Sequence, residues 1–361
     1  MATHYGLIGC GMMGQEHMRN IALLEGTCVS VVYEPDAGMA QAAAPFAPDA
    51  VFVDSLSALL DHRPLDCIVI ASPNHCHVDQ LERVGARVSL PLLVEKPFFT
   101  DPDDLARVRA FQRAYQAPVW VAMEYRYMPP LARFLDEVEA ATGGIRMLTV
   151  VEHRFPFLQK VGNWNRFNAN SGGTLVEKCC HFFDLMRLIL KSDPVRVMAS
   201  AGQAVNHLDE LYEGRRPDIW DCGYAIVDFE NGARAMLELS MFAEGSEYQE
   251  VVHAIGPAGK LEVKIPGPAR LWSGDPDRRP IPHLIRSRRY RCDPVRIDAP
   301  IDDTILDAGD HNGSTYYQHL KFRQVASGTG SVEVTLDDGV WAVLIGQAAQ
   351  RSAETGEAVA F

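Results

Sequence analysis

Tyr5-Gly6-Leu7-Ile8-Gly9-Cys10-Gly11-Met12-Met13-Gly14 decides the fold. A short apolar strand runs into GxGxxG, and a helix-like stretch, Gln15 to Leu24, follows. In that context the first glycine permits the tight turn. The second lets backbone approach a pyrophosphate, and the third lets helix and strand pack closely. The helix N-terminus favours the anion. Gly9, Gly11, Met12, Met13 and Gly14 are therefore expected against a dinucleotide. A second strand, Cys28 to Tyr33, ends in Glu34, twenty positions beyond Gly14. A carboxylate there accepts from both ribose hydroxyls and repels a 2′-phosphate, which selects NAD over NADP. A solvated turn glutamate before Pro35-Asp36 is the alternative.

The alternation of strand and helix continues outward from this unit. Asp54 to Asp61 reads as a helix and Leu65 to Ala71 as a buried strand. Ser72-Pro73-Asn74-His75-Cys76-His77 follows that strand's carboxyl end, where ligands of open α/β sheets bind. Ser72, Pro73, Asn74 and His77 are thus cofactor candidates, although Asn74 also suits a helix cap. Leu90 to Val94 is a further buried strand. It ends in Glu95-Lys96-Pro97, because proline cannot donate to a ladder. An ammonium group then stands at the mouth of the crevice, and a surface lysine ending a strand is the alternative. Asp101 to Arg113 reads as a helix and Pro118 to Met123 as a strand. There the alternation stops, so two domains are expected, 1–123 and 124–361.

The remainder has a different rhythm. Leu131 to Ala140 is helical and Gly143-Gly144 closes it. Strand-like runs follow: Ile145 to Arg154, Val195 to Gln203, Ala225 to Glu230, Ala233 to Ala243, Glu250 to Ile255 and Lys260 to Ile265. Asn231-Gly232 is a hairpin signal. A parallel doubly wound sheet joined to a largely antiparallel one is the fold class this predicts. Pro266 to Pro300, rich in proline and arginine, reads as a loop or arm. Its basic residues face either solvent, an anionic substrate or a neighbouring subunit. Val340 to Ala353 closes the chain as a helix.

A second group of reactive side chains lies in Ser171-Gly172-Gly173-Thr174-Leu175-Val176-Glu177-Lys178-Cys179-Cys180-His181. Helix-like spacing runs from Thr174 to Leu190. In one continuous helix, Glu177 and His181 share a face. The carboxylate would then orient the imidazole and raise its basicity. His181 becomes a proton acceptor with Glu177 in support. A Thr174–Glu177 capping box and a core histidine are the structural alternatives.

Composition narrows the setting. The chain has 361 residues, 47% of them hydrophobic, and a net charge of -13. That is ample for a core, and it disfavours wholesale nucleic-acid or anionic-membrane binding. No apolar run is long enough to span a bilayer, and the N-terminus lacks signal-peptide regions. The eight cysteines form no CxxC pair, so reduced thiols and a cytoplasmic location are expected. The histidines show no paired ligand spacing apart from His75 and His77, so no metal is expected.

Taken together, Gly9–Gly14, Ser72-Pro73-Asn74 with His77, Glu95-Lys96-Pro97 and the glycine-rich approach to His181 resemble the glucose–fructose oxidoreductase/inositol dehydrogenase (Gfo/Idh/MocA) family. The resemblance covers nearly the whole chain. It implies a cis Lys96–Pro97 bond, with Lys96 and His181 acting on substrate beside the nicotinamide. The family's aspartate position carries Glu177, its first glycine is Ser171, and the glycine two before the histidine is Cys179. Glu95, Arg126, Trp164 and Arg166 are cofactor-side counterparts. His153, Asn165, His311 and Tyr316 are candidate substrate contacts without a spacing argument. The implied activity is NAD-dependent oxidation of a secondary hydroxyl on a sugar, polyol or sugar derivative. The alternative is an NAD-dependent glycoside hydrolase working by transient oxidation, on an anionic sugar such as a sulfonated one. The resemblance also implies a homodimer or homotetramer built through an open sheet face.

Overall fold

The computed structural model describes residues 2–275 and 278–361. Six strands form the first sheet: β1 (Thr3–Ile8), β2 (Thr27–Tyr33), β3 (Val51–Val53), β4 (Cys67–Ile70), β5 (Leu92–Val94) and β6 (Val119–Val121). Their spatial order is β3-β2-β1-β4-β5-β6, and every pairing is parallel. Strands buried on both faces need continuous apolar runs. Cys67-Ile68-Val69-Ile70 and Leu92-Leu93-Val94 supply them and are fully buried. The helices between are α1 (Met12–Ala22), α2 (Ala37–Ala43), α3 (Leu56–Asp61), α4 (His77–Gly85) and α5 (Leu105–Ala114). The strand order reverses between β1 and β4, which opens a crevice at their carboxyl ends.

After β6 the chain forms α6 (Pro129–Thr142), closed by Gly143 in the left-handed region at φ 67°. A nine-stranded sheet follows. Its strands are β7 (Met147–His153), β8 (Pro194–Gly202), β9 (Cys222–Phe229), β10 (Arg234–Ser240), β11 (Glu250–Ile255), β12 (Gly259–Ile265), β13 (His283–Arg288), β14 (Val295–Asp298) and β15 (Val359–Ala360). The order is β14-β13-β12-β11-β7-β10-β9-β8-β15, antiparallel except for β7 beside β10. Strands β13 and β14 lie in the segment read as an arm. Leu284 buries on the core side and pairs with Ile297, so the segment extends the sheet.

Between β7 and β8 lie α7 (Asn168–Ser171), α8 (Thr174–Glu177) and α9 (Cys180–Leu190). The helix expected over 174–190 is therefore broken. Cys179 N donates to Thr174 O at 3.3 Å, five residues back, before α9 restarts the regular pattern. The capping box does not form either, since Gly173 precedes α8 and the Thr174 hydroxyl donates to Trp220 O at 2.6 Å. The chain ends with α10 (Asp303–Asp307), α11 (Ser314–Ala326) and α12 (Leu336–Thr355). Helices α6, α9 and α12 cover one face of the large sheet. The other face stays open, with Met147, Met198, Tyr224 and Ile226 exposed. Phe322, Val325, Val334, Val340 and Val343, from the far end of the chain, complete the core of the first sheet. No helix among the described residues is long and apolar enough to cross a membrane.

Candidate active site

A cavity of about 550 Å³ occupies the crevice between β1 and β4. Of the residues nominated for a cofactor, Gly9, Gly11, Met12, Met13, Glu34, Ser72, Pro73, Asn74, Glu95, Lys96 and Trp164 line it. The glycines fit their expected roles. A Cβ on Gly9 (φ +89°) would meet the Ser72 backbone at 2.8 Å, and one on Gly14 would meet Gly9 O at 2.5 Å. Gly11 has open space beside it, and no side chain caps α1. The N-terminal amides are thus left to an anion. Glu34 Oε2 accepts from Cys10 N at 3.0 Å and Oε1 from Asp36 N at 3.1 Å, which fixes the carboxylate at the end of β2. The donor set fits a dinucleotide.

Three nominated residues lie elsewhere. The His77 ring is fully buried, with Nδ1 2.9 Å from Pro97 O and Nε2 3.1 Å from Ser72 O. It ties the two crevice loops together and does not reach the cavity. Arg126 is buried and grips Asp184 in the middle of α9 with both arms, Nε–Oδ2 at 2.6 Å. Arg166, near the end of the strap of residues 154–167, is buried and held by Glu210 at 2.9 Å.

The strap itself crosses the cavity. Lys160 sits 4.5 Å above the Trp164 ring and 3.2 Å from Glu177 Oε1. Asn165 braces it from within, Nδ2 donating to Leu158 O at 2.9 Å.

Lys96, which lines the cavity, meets the stretch before His181. The Lys96–Pro97 bond is cis, and Lys96 Nζ donates to Glu177 O at 3.0 Å. Glu95, beside it, is buried. Burial opposes ionisation there, but His17, at 3.0 Å, together with Lys96 and His311, holds the carboxyl below its ordinary value. His17 is in turn backed by His319 at 2.8 Å.

His181 is buried and stacks face to face on Tyr125, with ring centroids 4.1 Å apart. Its Nδ1 has no partner among the described residues. Glu177 does not support it, because the break at 178–179 turns the Glu177 carboxylate towards Lys160. Burial, then the charges of Lys96, Lys178, His311 and Arg154, hold the imidazole well below its usual value. The ring is a neutral acceptor of low basicity, the opposite of the expected effect.

Residues not nominated from sequence complete the surroundings. Lys178 is buried with Nζ 2.8 Å from Glu152 and 2.5 Å from the Tyr125 hydroxyl. Glu250 lies directly across from Glu152 on the neighbouring strand. Burial and that like charge push its carboxyl up to about 7. The signal was present: Leu148 and Val150 face the core from β7, and Glu152 continues their parity. The same parity sends His153 to the open face, where it pairs with Glu238 at 3.0 Å, away from the site.

His311 is better placed. It lies 2.8 Å from Glu16 and 3.5 Å from Glu124, with its ring 6.0 Å from that of Tyr125. Burial works against its charge, but Glu16 and Glu124 outweigh it and raise the pKa to about 9. Thr315 Oγ1 lies 2.9 Å from Glu16 Oε1 and 2.6 Å from Glu124 Oε2. Burial, with Glu95 and Glu16 nearby, pushes the Glu124 carboxyl up against the opposing charge of His311. Glu16, Glu124 and His311 also form the one group among the described residues whose donor atoms are close enough, within 4.8 Å, to hold a metal ion. Tyr316 packs edge-on to Tyr317 instead, with centroids 5.3 Å apart.

Two family models cover these two parts of the chain. The NAD-binding Rossmann fold of the Gfo/Idh/MocA oxidoreductase family matches residues 3–123, and its C-terminal alpha/beta domain matches 141–361. The chain belongs to the Gfo/Idh/MocA family. It is an NAD-binding oxidoreductase. It is similar to inositol 2-dehydrogenase 2 of Saccharopolyspora erythraea, 27% identical over 80% of this chain and 81% of that one. An inositol 2-dehydrogenase of Rhizobium meliloti is 26% identical over 80% and 84%. Among solved structures, levoglucosan dehydrogenase with NADH and levoglucosan superposes with a TM-score of 0.79 at 19% identity. That match covers 100% of this chain and 99% of that one. At that identity the likeness speaks for the fold.

Proposed function

We propose that this family member oxidises a secondary hydroxyl of a sugar or polyol, with NAD as hydride acceptor. The observation that carries the reading is the meeting of Lys96, which lines the cavity, with the His181 stretch, Nζ to Glu177 O at 3.0 Å. The inositol dehydrogenases to which the chain is similar support the substrate class.

Gly9, Gly11 and the open N-terminus of α1 hold the pyrophosphate, and Glu34 holds the adenosine ribose. When bound, NAD supplies the nicotinamide carbon that takes the hydride. The Lys96 ammonium stabilises negative charge as it develops on the substrate oxygen. His181, kept neutral by its surroundings, accepts the hydroxyl proton. A base this weak works only because Lys96 lowers the proton affinity of the same oxygen. The Lys160–Glu177 pair and the strap shield the reacting atoms from water. Homo-oligomerisation through the open face of the large sheet accords with its exposed Met147, Met198, Tyr224 and Ile226.

Replacing Lys96 by Met or His181 by Ala should leave NAD binding within a fewfold of wild type. Turnover should fall by about 10²–10⁴ in a sugar and polyol panel followed by NADH formation. Turnover near wild type in both variants would overturn the assignment. Release of an aglycone without accumulating NADH would assign the redox-neutral hydrolase instead.

A further inference from the structure

The charged groups around His181 do not balance. Lys178 is met by Glu152 at 2.8 Å, His311 by Glu16 at 2.8 Å and Lys160 by Glu177 at 3.2 Å. Two cations have no carboxylate of the described residues within hydrogen-bond distance. Lys96 is one, and the reacting oxygen accounts for it. Arg154 is the other.

Arg154 follows the last residue of β7 and continues the core-facing parity of Glu152. Its guanidinium lies over the rings of Phe155 and Phe157, at 4.4 and 5.8 Å, which fixes its direction. Its nearest acid is Glu152 at 3.8 Å, beyond hydrogen bonding, and Lys178 already engages that group. Glu250 forms no ion pair with it. The Arg154 Nε is buried without a partner, and none of its guanidinium nitrogens bonds to another described residue. The buried, unpartnered Nε is costly, while the side chain keeps 12% of its surface, so a ligand can reach the fork and supply the missing partner. Arg126 and Arg166, nominated by the sequence, are spent on Asp184 and Glu210, and Arg286 and Arg288 of the basic segment pair with Glu137 and Asp293.

We propose that Arg154 binds an anionic group, a carboxylate or a sulfonate, on the same sugar whose hydroxyl reacts at Lys96 and His181. This deepens the reading above and rests on it. The planar fork of arginine matches either oxyanion with two parallel hydrogen bonds. The preferred substrate is then an acidic sugar: a uronic acid or a sulfonated sugar.

The test uses the enzyme–NADH complex, which reads binding without turnover. D-Glucose, myo-inositol, D-glucuronate and 6-deoxy-6-sulfo-D-glucose are titrated while nicotinamide fluorescence is followed. NADH formation is measured in parallel with NAD. At least one acidic sugar should bind about 10- to 100-fold tighter than glucose, the worth of a charge-assisted pair. Arg154→Gln should collapse that ratio to within roughly threefold while its affinity for NADH holds, and Arg154→Lys should restore part of it. A response to the sulfonate alone or the uronate alone tells which oxyanion the fork takes. The inference is overturned if neutral sugars bind as tightly as acidic ones. It also fails if Arg154→Gln weakens both classes alike, or if no acidic sugar binds. Oxidation of inositol at full rate, indifferent to Arg154, would sink this inference and leave the dehydrogenase reading standing. Arg154-dependent binding without NAD reduction by any sugar would do the reverse.

Discussion

His311 is a group whose charge state is set by its neighbours. Its folded pKa of about 9 stands above the ordinary value of about 6.5. A raised pKa means the folded chain binds the proton more tightly than the unfolded one. The resulting stability is therefore complete below about pH 6.5 and is lost as pH rises through about 9. Urea unfolding of the wild type between those two pH values should show a drop on the order of 1–3 kcal/mol. His311→Gln should remove that pH-dependent part, and an unchanged slope in the variant would refute the placement. The positions of Gly9, Glu34 and Lys96 were legible because each follows a contiguous strand run, and the run fixes where the chain leaves the sheet. Arg126, Arg166 and His77 were not, because their partners (Asp184, Glu210, and the carbonyls of Ser72 and Pro97) are settled only by packing. Tyr125, stacked on His181, carried no local signal at all. Glu152 did carry one, as a charge on the buried parity of a strand.

At the scale of the element, the break between α8 and α9 changes the chemistry most. A periodicity argument sees apolar spacing from Thr174 to Leu190 and assumes one helix. Five-residue closure at Cys179 rotates Glu177 away from His181 and hands its carboxylate to Lys160. The approach to α8 is equally constrained. Gly173 has φ +86° and ψ 163°, a conformation essentially reserved for glycine, and a Cβ there would run into Gln350 Oε1 of α12. Gly173→Ala should lower stability by about 2–4 kcal/mol and displace Lys96's acceptor, Glu177 O. Thermal unfolding together with turnover checks this, and a variant matching wild type in both would show that the turn is not strained. Strands β13 and β14 were hidden by the prolines and arginines around them, since edge strands tolerate both.

Across the whole molecule, the rhythm of the sequence changes at residue 123, but no feature of it announces the return of the chain to the first sheet. Helix α11 drew no notice in the sequence, yet Phe322 on it is fully buried against the first sheet. Burying a side chain of that size is worth about 1.5–3 kcal/mol, and Val325, Val334, Val340 and Val343 add to it. A fragment of residues 1–123 should therefore aggregate or stay unfolded, and it should not bind NAD, as judged by circular dichroism and cofactor titration. A soluble, cooperative fragment that binds NAD would refute this.

That return has a consequence for biosynthesis. Translation at about 5–20 residues per second separates the emergence of β6 from that of Val343 by roughly 10–45 s. Through that interval the nascent cofactor sheet presents an uncovered apolar flank. Nascent-chain arrest short of α12 should leave that flank available to trigger-type holdases, and release should follow only once the last helix has cleared the ribosome.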